Sequence, residues 1–392
     1  MDSLVIANLF LLLFLGVADN QMIAALLPSM VRSFHISLST AGLLVVVYSV
    51  AAAVAAFLSG TLSDHYGRRR FLIVGVIVFA VASWLAFRSA TFAQLLMARA
   101  LVGLAAGTLS TCSITFAADW FAYGVRGRAI GLISSAYFAA PILGVPLAAQ
   151  VAGRFGWQQS FLVFAVLAVT VSVLSVTLPK DRLNPVPSTE KVRRTTRAFR
   201  SFLSRRDTAA ALGIAFMVSG GLVGFLTYIG QWLNGSFGIS TGTIGWVFML
   251  GGLVAVGTAP LGGILSDRWG KRTISIASNV LMALSIAVIP FAPWGVFLLV
   301  IFGATSLGAA FRQGPLTALM TELVPAAQRG SFIALRNISS QFGIGAAAFV
   351  GGVLYQQYGY GAVTTLCAAM TVLVAILLTT HIVEPQGAEE GA

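Results

Sequence analysis

The sequence predicts an all-α membrane protein with twelve transmembrane helices, and three observations support this fold class. The chain of 392 residues is 58% hydrophobic and only 9% charged, whereas a soluble domain carries about 25% charged residues. Its apolar stretches are long enough to cross ~30 Å of hydrocarbon as helices. The basic residues that separate these stretches are concentrated in alternate loops.

The twelve apolar stretches fall into two groups of six. The first six occupy 4–31, 41–62, 71–88, 93–117, 129–152 and 159–178. The last six occupy 208–233, 242–265, 273–291, 295–320, 331–354 and 361–382. The first stretch lacks the basic segment that begins a secretory signal and is about twice as long as a signal's apolar region, so we expect it to stay in the membrane. Cys112 and Cys367 both lie inside stretches, which predicts packing roles.

The basic residues predict the topology. Of the 24 lysines and arginines, 18 fall on one side of the membrane and three, namely Arg32, Arg88 and Arg154, on the other. By the positive-inside rule, we expect the richer side and both chain termini to be cytoplasmic. The net charge of +12 then sets topology and contact with anionic lipid, and we expect no nucleic-acid partner.

The one long polar segment, residues 179–207, divides the stretches six and six. We therefore predict two domains, 1–178 and 208–392, joined by a basic cytoplasmic linker. Phe199, Phe202 and Leu203 lie at helical spacing among arginines. This pattern predicts an amphipathic helix on the membrane surface, and a solvated basic loop is the alternative.

The second half of the sequence repeats the first at an offset of 203 residues. The segment from Gly60 to Arg69 returns from Gly263 to Arg272 with its glycines, leucine, serine and aspartate in place. The same offset relates three further pairs: Asp119 and Glu322, Arg126 and Arg329, Phe155 and Tyr358. A transporter built from two such parallel repeats has its substrate site between them near the midplane.

The repeated loop, Gly-x-Leu-Ser-Asp-x-x-Gly-Arg-Arg, resembles the signature loop of the major facilitator superfamily, and the resemblance covers essentially the whole chain. It implies two six-helix bundles around a cavity lined by helices 1, 4, 7 and 10. In the family this loop latches the halves together when the protein opens outward. The implied latch residues are Gly60, Asp64 with Arg68, Gly67, Asp119 with Arg126, Asp267 with Lys271, and Glu322 with Arg329. In the second copy, charges that only fix topology are the alternative.

Helix 5 resembles the antiporter motif of the superfamily, a glycine series that ends in Gly-Pro-x-x-Gly. Pro141 and Gly144 match the motif, while Ala136 and Ala140 replace two of its glycines. Ile344 stands opposite Pro141 in the repeat, so the motif belongs to the first half alone. Relatives with this motif export their substrates against inward proton flow, and a packing kink is the alternative interpretation.

Asp19 is the one carboxylate predicted to lie deep in a span, where an ionisable side chain costs roughly 2.5–3.5 kcal/mol. Its repeat counterpart is Leu222, so the repeated architecture alone does not account for this charge, and a function-specific role is expected. A proton-coupled carrier needs such a desolvated carboxylate. Arg99 with Gly103 resembles the family's Arg-x-x-x-Gly pattern, whose arginine is associated with proton transfer. Snorkelling of Arg99 to the outer surface is the alternative.

The other candidate substrate contacts lie on the cavity helices. Arg312, deep in helix 10, is predicted to pair with Asp19 or to bind an anionic substrate group, and snorkelling is the alternative. Arg336, near the start of helix 11, is expected to snorkel. The remaining candidates are Asp19, Asn20 and Gln21 on helix 1, Tyr228, Gln231 and Trp232 on helix 7, and Gln313 on helix 10.

The motifs of an enzyme are absent from the sequence. The three histidines, His35, His65 and His381, lie in loops or at span ends, without metal-ligand spacing or a catalytic triad pattern. No Gly-Lys-Ser/Thr phosphate loop occurs, so we expect an ion gradient rather than ATP as the energy source, and no cofactor or metal.

The predicted function is therefore export of small amphipathic or drug-like compounds in exchange for protons, as in the drug:proton antiporter branch of the superfamily. We expect a monomer in the plasma membrane, the inner membrane of a bacterium, that contacts a small-molecule substrate and the lipid bilayer. Three alternatives remain. They are a symporter for an organic anion held by Arg312, a carrier of lipid-like amphiphiles, and a non-transporting receptor or scaffold.

Overall fold

The computed structural model describes residues 2–180, 199–325 and 328–382, except for the side chains of Asp2, Thr61, Asp64 and Tyr123. In the described residues, twelve helices are long and apolar enough to cross a membrane, which confirms the predicted fold class. The first six are α1 (Asp2–Phe34), α2 (Leu38–Tyr66), α3 (Arg68–Arg88), α4 (Phe92–Trp120), α5 (the consecutive segments Tyr123–Ser134, Ala136–Ala139, Ala140–Gly144 and Val145–Phe155) and α6 (Trp157–Ser175). The last six are α7 (Arg206–Phe237), α8 (Thr241–Trp269), α9 (Lys271–Val288), α10 (Val296–Glu322), α11 (Arg329–Tyr358) and α12 (Tyr360–His381).

Four of the helix junctions consist of one glycine each, which explains why the helices extend beyond the predicted apolar stretches. Gly67 joins α2 to α3 with φ of 98°, and Gly270 joins α8 to α9 with φ of 86°. Gly156 and Gly359, with φ of 95° and 79°, join α5 to α6 and α11 to α12. Such positive φ values favour glycine because it has no Cβ. The two members of each pair are 203 positions apart, so the repeat extends to the backbone.

Arginine contacts follow the same repeat. Arg69 at the start of α3 donates to the carbonyl oxygen of Val176 at 2.6 Å. Arg272 at the start of α9 donates to the carbonyl oxygen of Thr379, also at 2.6 Å. Donor and acceptor are both displaced by 203 residues. The two halves are therefore parallel copies of one arrangement. The domain limits 178 and 208 stay predictions, and 181–198 of the linker lie outside the described residues.

The two halves meet at the end of the molecule that lies away from the linker, which we call the closed end. There α1 approaches α7, α2 approaches α11, and α5 approaches α8. A Cβ on Gly230 would overlap the carbonyl oxygen of Ala24, so glycine is what permits the first of these approaches. Between the described residues of the two halves, hydrogen bonds join Ser29 to Thr241 (3.3 Å), Arg32 to Asn234 (2.6 Å), Ser39 to Gln356 (2.7 Å) and Gln150 to the Gly242 carbonyl (3.2 Å).

The opposite end, which we call the linker end, carries Gly67, Gly270 and the linker. Here a Cβ built on Gly127, Gly131 or Gly330 would have no neighbour within 4 Å. By contrast, the hydrogen bonds named above that join described residues of the two halves all lie at the closed end, so the packing between the halves is concentrated there.

The end of the linker packs on protein. Residues 199–204 are helical, and the fully buried Phe202 meets Phe332 of α11 edge-on at 5.3 Å. Phe199 lies 6.1 Å from Phe57 of α2, while Leu203 is 63% exposed. The segment is thus neither a solvated loop nor a helix lying only in lipid, because an apolar cluster at the linker end of the second half accepts Phe202.

The two cysteines lie in the helix core. Cys112 on α4 and Cys367 on α12 are both buried and free. Their positions agree with packing roles.

Candidate functional site

A fully buried ion pair joins α1 to α4 in the first half. Arg99 Nη1 contacts Asp19 Oδ2, and both side chains are 0% exposed. The predicted depth of Asp19 is confirmed, whereas the snorkelling alternative for Arg99 is wrong because its guanidinium points inward to the carboxylate. Breaking such a pair by removing one partner costs about 3–5 kcal/mol, since the other charge is left unpaired in the interior.

Tyr48 of α2 completes this cluster, and sequence reasoning missed it. Its ring centroid lies 4.6 Å from Arg99 Cζ, a cation–π distance. Its hydroxyl donates to the Gly16 carbonyl at 2.9 Å. A Cβ on Gly103 would overlap the Tyr48 carbonyl oxygen, so this glycine lets α4 lie against α2. That contact explains the Arg-x-x-x-Gly pattern, because it brings Arg99 against the Tyr48 ring. The sign of this role in the sequence is that Tyr48 is a single tyrosine inside an apolar stretch.

The ion pair leaves several polar atoms without partners. Asp19 Oδ1 is buried without a hydrogen bond among the described atoms, as are Arg99 Nε and Nη2. One carboxylate oxygen is therefore bound while the other is available. A carboxylate in this position can accept a proton on that oxygen, and protonation would remove the charge that holds Arg99.

The motif residues of α5 form a π-helical turn over Ala140–Gly144. Pro141 lies within this turn, and a Cβ on Gly144 would overlap the Cβ of Ala18, the residue before Asp19. On the other side, a Cβ on Gly252 of α8 would lie 2.6 Å from Ile142. The turn thus contacts both the Asp19 helix and the second half. Single π turns occur frequently at functional sites.

Arg312 is the second buried cation, at 1% exposure. Its Nη1 donates to Asn279 Oδ1 of α9 at 3.0 Å, and its Nη2 donates to the Val218 carbonyl of α7 at 3.1 Å. The predicted pairing with Asp19 is wrong because the Arg312 guanidinium donates to Asn279 and Val218 instead, and the buried guanidinium does not snorkel. Sequence reasoning missed Asn279, since it lies on a helix that the resemblance does not assign to the cavity.

Two aromatic candidates of α7 pack on helices of the second half, and the Tyr228 hydroxyl also lies against Gly42 of α2. The buried Tyr228 hydroxyl donates to the Ala348 carbonyl of α11. Trp232 stacks on Tyr360 of α12, with ring centroids 5.0 Å apart. Their contribution to substrate binding stays a prediction.

The amide candidates are less enclosed. Asn20, Gln21 and Gln231 are half-buried, and Gln313 is exposed. Asn20 Oδ1 and Gln231 Oε1 are buried without a hydrogen-bond partner in the described part of the chain. Such atoms are free to bind a polar ligand or water. All four stay candidates for substrate contact.

The latch residues form two equivalent ion pairs at the linker end. Arg68 of α3 pairs with Asp119 of α4, and Lys271 of α9 pairs with Glu322 of α10. Each pair lies within one half, and both partners are related by the offset of 203. The structure therefore joins residues that the sequence had assigned to different pairs.

The other predicted latch residues are not part of these two ion pairs. Arg126 Nε donates to the Phe121 carbonyl at 3.4 Å. Asp267 and Arg329 are exposed, Gly60 lies at ordinary contact distance from α4, and Gly67 forms the turn. The side chain of Asp64 lies outside the described ones.

Reversing one latch charge is expected to slow transport, and reversing both is expected to restore it. Glu322→Lys would place two ammonium groups together, whereas the Lys271→Glu, Glu322→Lys double variant recreates the pair. Because the two side chains are 30% and 32% exposed, we expect at most about 1 kcal/mol in stability. Initial transport rates and melting temperatures of wild type, Glu322→Lys and the double variant test this. A double variant as slow as Glu322→Lys would contradict a latch role.

Comparison with known proteins agrees with this geometry. The sequence profile of the Major Facilitator Superfamily matches residues 9–235 and again 211–391. The uncharacterized MFS-type transporter YwfA of Bacillus subtilis is 28% identical over 368 residues, covering 93% of this chain and 88% of YwfA. The probable nitrate/nitrite transporter NarK2 of Mycobacterium tuberculosis is 27% identical over 345 residues, 83% of each chain.

A solved structure resembles the fold along its whole length. The crystal structure of a bacterial homolog of the human lysosomal transporter Spinster superposes with a TM-score of 0.79 at 17% identity, over 98% of this chain and 99% of that chain. The repeated signature loop, the twelve helices and the matched profile establish that this chain belongs to the major facilitator superfamily of membrane transporters.

Proposed function

We propose that this transporter is proton-coupled and that Asp19 carries the proton. The buried Asp19–Arg99 pair is the observation that supports this proposal. A carboxylate inside a membrane protein is costly and marks ion pathways or proton relays. Among the described residues, Asp19 is the one acidic side chain in the middle of a span.

In the proposed cycle, the Asp19 carboxylate pairs with Arg99 in one state and binds a proton in the other. When the carboxylate is ionised, Arg99 neutralises it, as in this structure. When Asp19 binds a proton, the Coulomb attraction to Arg99 is lost, and α1 is free to shift against α4. Because Ala18 contacts Gly144, a shift of α1 displaces the π turn of α5 and its contact with α8. Protonation is in this way linked to the packing between the halves.

The leading mode is export of small amphipathic or drug-like compounds in exchange for inward protons. It is supported by the match of Pro141 and Gly144 to the antiporter motif and by the contact of their π turn with the Asp19 helix. We place the linker end in the cytoplasm of a bacterial cell, because the basic loops lie there. Because the described hydrogen bonds between the halves lie at the closed end, a substrate would enter between the halves from the cytoplasmic side, where an exporter loads its substrate.

A second mode, symport of an organic anion with a proton, is favoured by Arg312. This buried guanidinium has an amide and a carbonyl as its described partners, not a carboxylate. NarK2 is named as a transporter of the anions nitrate and nitrite. Transport of lipid-like amphiphiles and a non-transporting scaffold are the remaining alternatives.

Flux into proteoliposomes under an imposed pH gradient tests the proposal. The probes are ethidium for cationic drugs, benzoate for organic acids and a fluorescent lysolipid. We expect at least one probe to be concentrated against its gradient, and a protonophore to abolish the concentration. The direction relative to the proton distinguishes antiport from symport. Concentration that persists with the protonophore would contradict proton coupling, and absence of any flux would favour the scaffold.

A further inference from the structure

The ion pair of the first half belongs to a group of three residues that the second half replaces by apolar ones. At the offset of 203, Asp19, Tyr48 and Arg99 correspond to Leu222, Gly251 and Phe302. A Cβ on Gly251 would lie 2.7 Å from a ring carbon of Phe302, so these two positions face each other in both halves. The second half thus lacks the tyrosine where it lacks the cation. Tyr48 is specific to the charged group and is not required by the repeated fold.

The packing of α2 on α4 holds the Tyr48 ring next to Arg99. A Cβ on Gly103 would overlap the Tyr48 carbonyl oxygen, and a Cβ on Gly107 would overlap the Ala52 carbonyl oxygen. Both glycines follow Arg99 at spacings of four residues, so they lie on the same face of α4. The ring therefore does not depend on α1 for its place over the guanidinium.

Protonation of Asp19 changes the charge around Arg99. With Asp19 ionised, the pair as a whole is neutral. With Asp19 protonated, a fully buried guanidinium remains without a counter-charge, and its Nε and Nη2 have no hydrogen-bond partner among the described atoms. An unpaired buried charge is costly, and the face of an aromatic ring attracts a cation more strongly where water is excluded. The Tyr48 ring therefore stabilises the protonated state more than the ionised one.

The helices around the ion pair carry few other ionisable groups at its depth. Helices α1 and α4 pack against α2, α3, α5, α6, α7 and α8. In the described parts of the latter helices, every charged residue lies within five residues of a helix end. The ionisable side chains deeper in these helices and in α4, apart from Arg99, are Tyr48, Tyr137, Tyr228 and Cys112. Of these, Tyr137 interacts electrostatically with Tyr48. Asp19 itself interacts electrostatically with Arg99 and Tyr48.

We propose that Tyr48 is a positioning residue of the proton site and that its ring holds the Arg99 guanidinium in place while Asp19 carries the proton. The ring is the partner that remains when the carboxylate has lost its charge. When the proton leaves, Arg99 is already in position to pair with the carboxylate again. This inference rests on the proposed proton coupling through Asp19 and deepens it.

Infrared titration of the full chain in nanodiscs tests this role. The absorption of the protonated carboxyl group, taken as the difference between each protein and the same protein with Asp19→Asn, reports protonation of Asp19 at each pH. Tyr48→Leu should move the midpoint of this titration about one pH unit lower, because the protonated state loses the ring that stabilises it. Tyr48→Phe removes the hydroxyl and its bond to the Gly16 carbonyl but keeps the ring, so its midpoint should stay close to that of wild type.

A fluorinated ring separates attraction from packing. A trifluorinated phenylalanine at position 48 has nearly the shape of phenylalanine, but fluorine withdraws electrons and weakens the negative ring face that attracts a cation. Its midpoint should lie between those of Tyr48→Phe and Tyr48→Leu. The control is Phe79→Leu, which removes a fully buried ring of α3. This change should lower the melting temperature and leave the midpoint of Asp19 where it is in wild type.

The fluorinated protein decides the test if Tyr48→Leu fails to fold. A midpoint that is the same with the phenylalanine ring, the fluorinated ring and leucine would overturn the proposal. An equal shift in Phe79→Leu would overturn it as well, because loss of packing would then explain the change.

The role of Tyr48 and proton coupling can fail separately. If the midpoint follows the ring as predicted but Asp19→Asn retains proton-driven transport, coupling through Asp19 is wrong and the role of Tyr48 toward Arg99 stands. If Asp19→Asn abolishes coupling and the midpoint is the same with every ring, the coupling proposal stands and the role of Tyr48 is wrong. An Asp19 that stays ionised at every pH at which the protein is folded would overturn both.

Discussion

Asp19→Asn is expected to abolish proton-driven concentration of substrate while leaving downhill exchange in place. Asparagine has nearly the same shape as aspartate but neither binds a proton nor neutralises Arg99. The buried guanidinium is then unpaired, so we also expect a stability loss of about 3–5 kcal/mol. Transport in proteoliposomes with and without a pH gradient, together with thermal unfolding, measures both effects.

Asp207→Asn is the matched control for this experiment. Asp207 also forms an ion pair, with Arg205 at 2.5 Å, but it lies at the start of α7 and is 33% exposed. The same chemical change there should leave proton-driven transport intact. Undiminished proton-driven concentration in Asp19→Asn would remove Asp19 from the mechanism.

Gly144→Val is expected to reduce transport at least tenfold and to destabilise the protein. A side chain at this position overlaps the Cβ of Ala18, so α1 and the π turn of α5 must separate. Forcing extra atoms into a close helix contact typically costs about 1–3 kcal/mol. The separation would also displace Asp19, which follows Ala18 directly. Initial transport rates and melting temperatures are the measurements.

Gly131→Val provides the control on the same helix. A Cβ on Gly131 has no neighbour within 4 Å, so the added methyl groups meet open space. We expect near-normal stability and a smaller change in transport rate. Equal losses in both variants would mean that the Ala18 contact has no special role.

The sequence predicted the twelve helices, the repeat and the depth of Asp19 because each depends on hydropathy and spacing along the chain. It did not predict Tyr48 or Asn279 as partners of the buried arginines. Contacts across helices depend on the rotation of each helix about its axis. A membrane helix that is apolar all round carries no periodic pattern that fixes this rotation.

For the latch charges too, the sequence predicts the positions of the residues but not which of them pair. The offset of 203 identified the charged latch positions in both halves. Which of these charges pair depends on how neighbouring helices pack, and the structure pairs Arg68 with Asp119 and Lys271 with Glu322. The packing of Phe202 on Phe332 was likewise invisible in the sequence, because a surface helix buries its apolar face equally well in lipid or on protein.

Proton movement driven by substrate is the most direct test of Asp19 as the proton carrier. A pH-sensitive dye enclosed in proteoliposomes reports this movement when a transported compound runs down its own gradient. For wild type we predict a pH change inside the vesicles, with a sign set by antiport or symport. For Asp19→Asn we predict that the compound still moves and the pH stays constant. A pH change of wild-type size in Asp19→Asn would contradict the account.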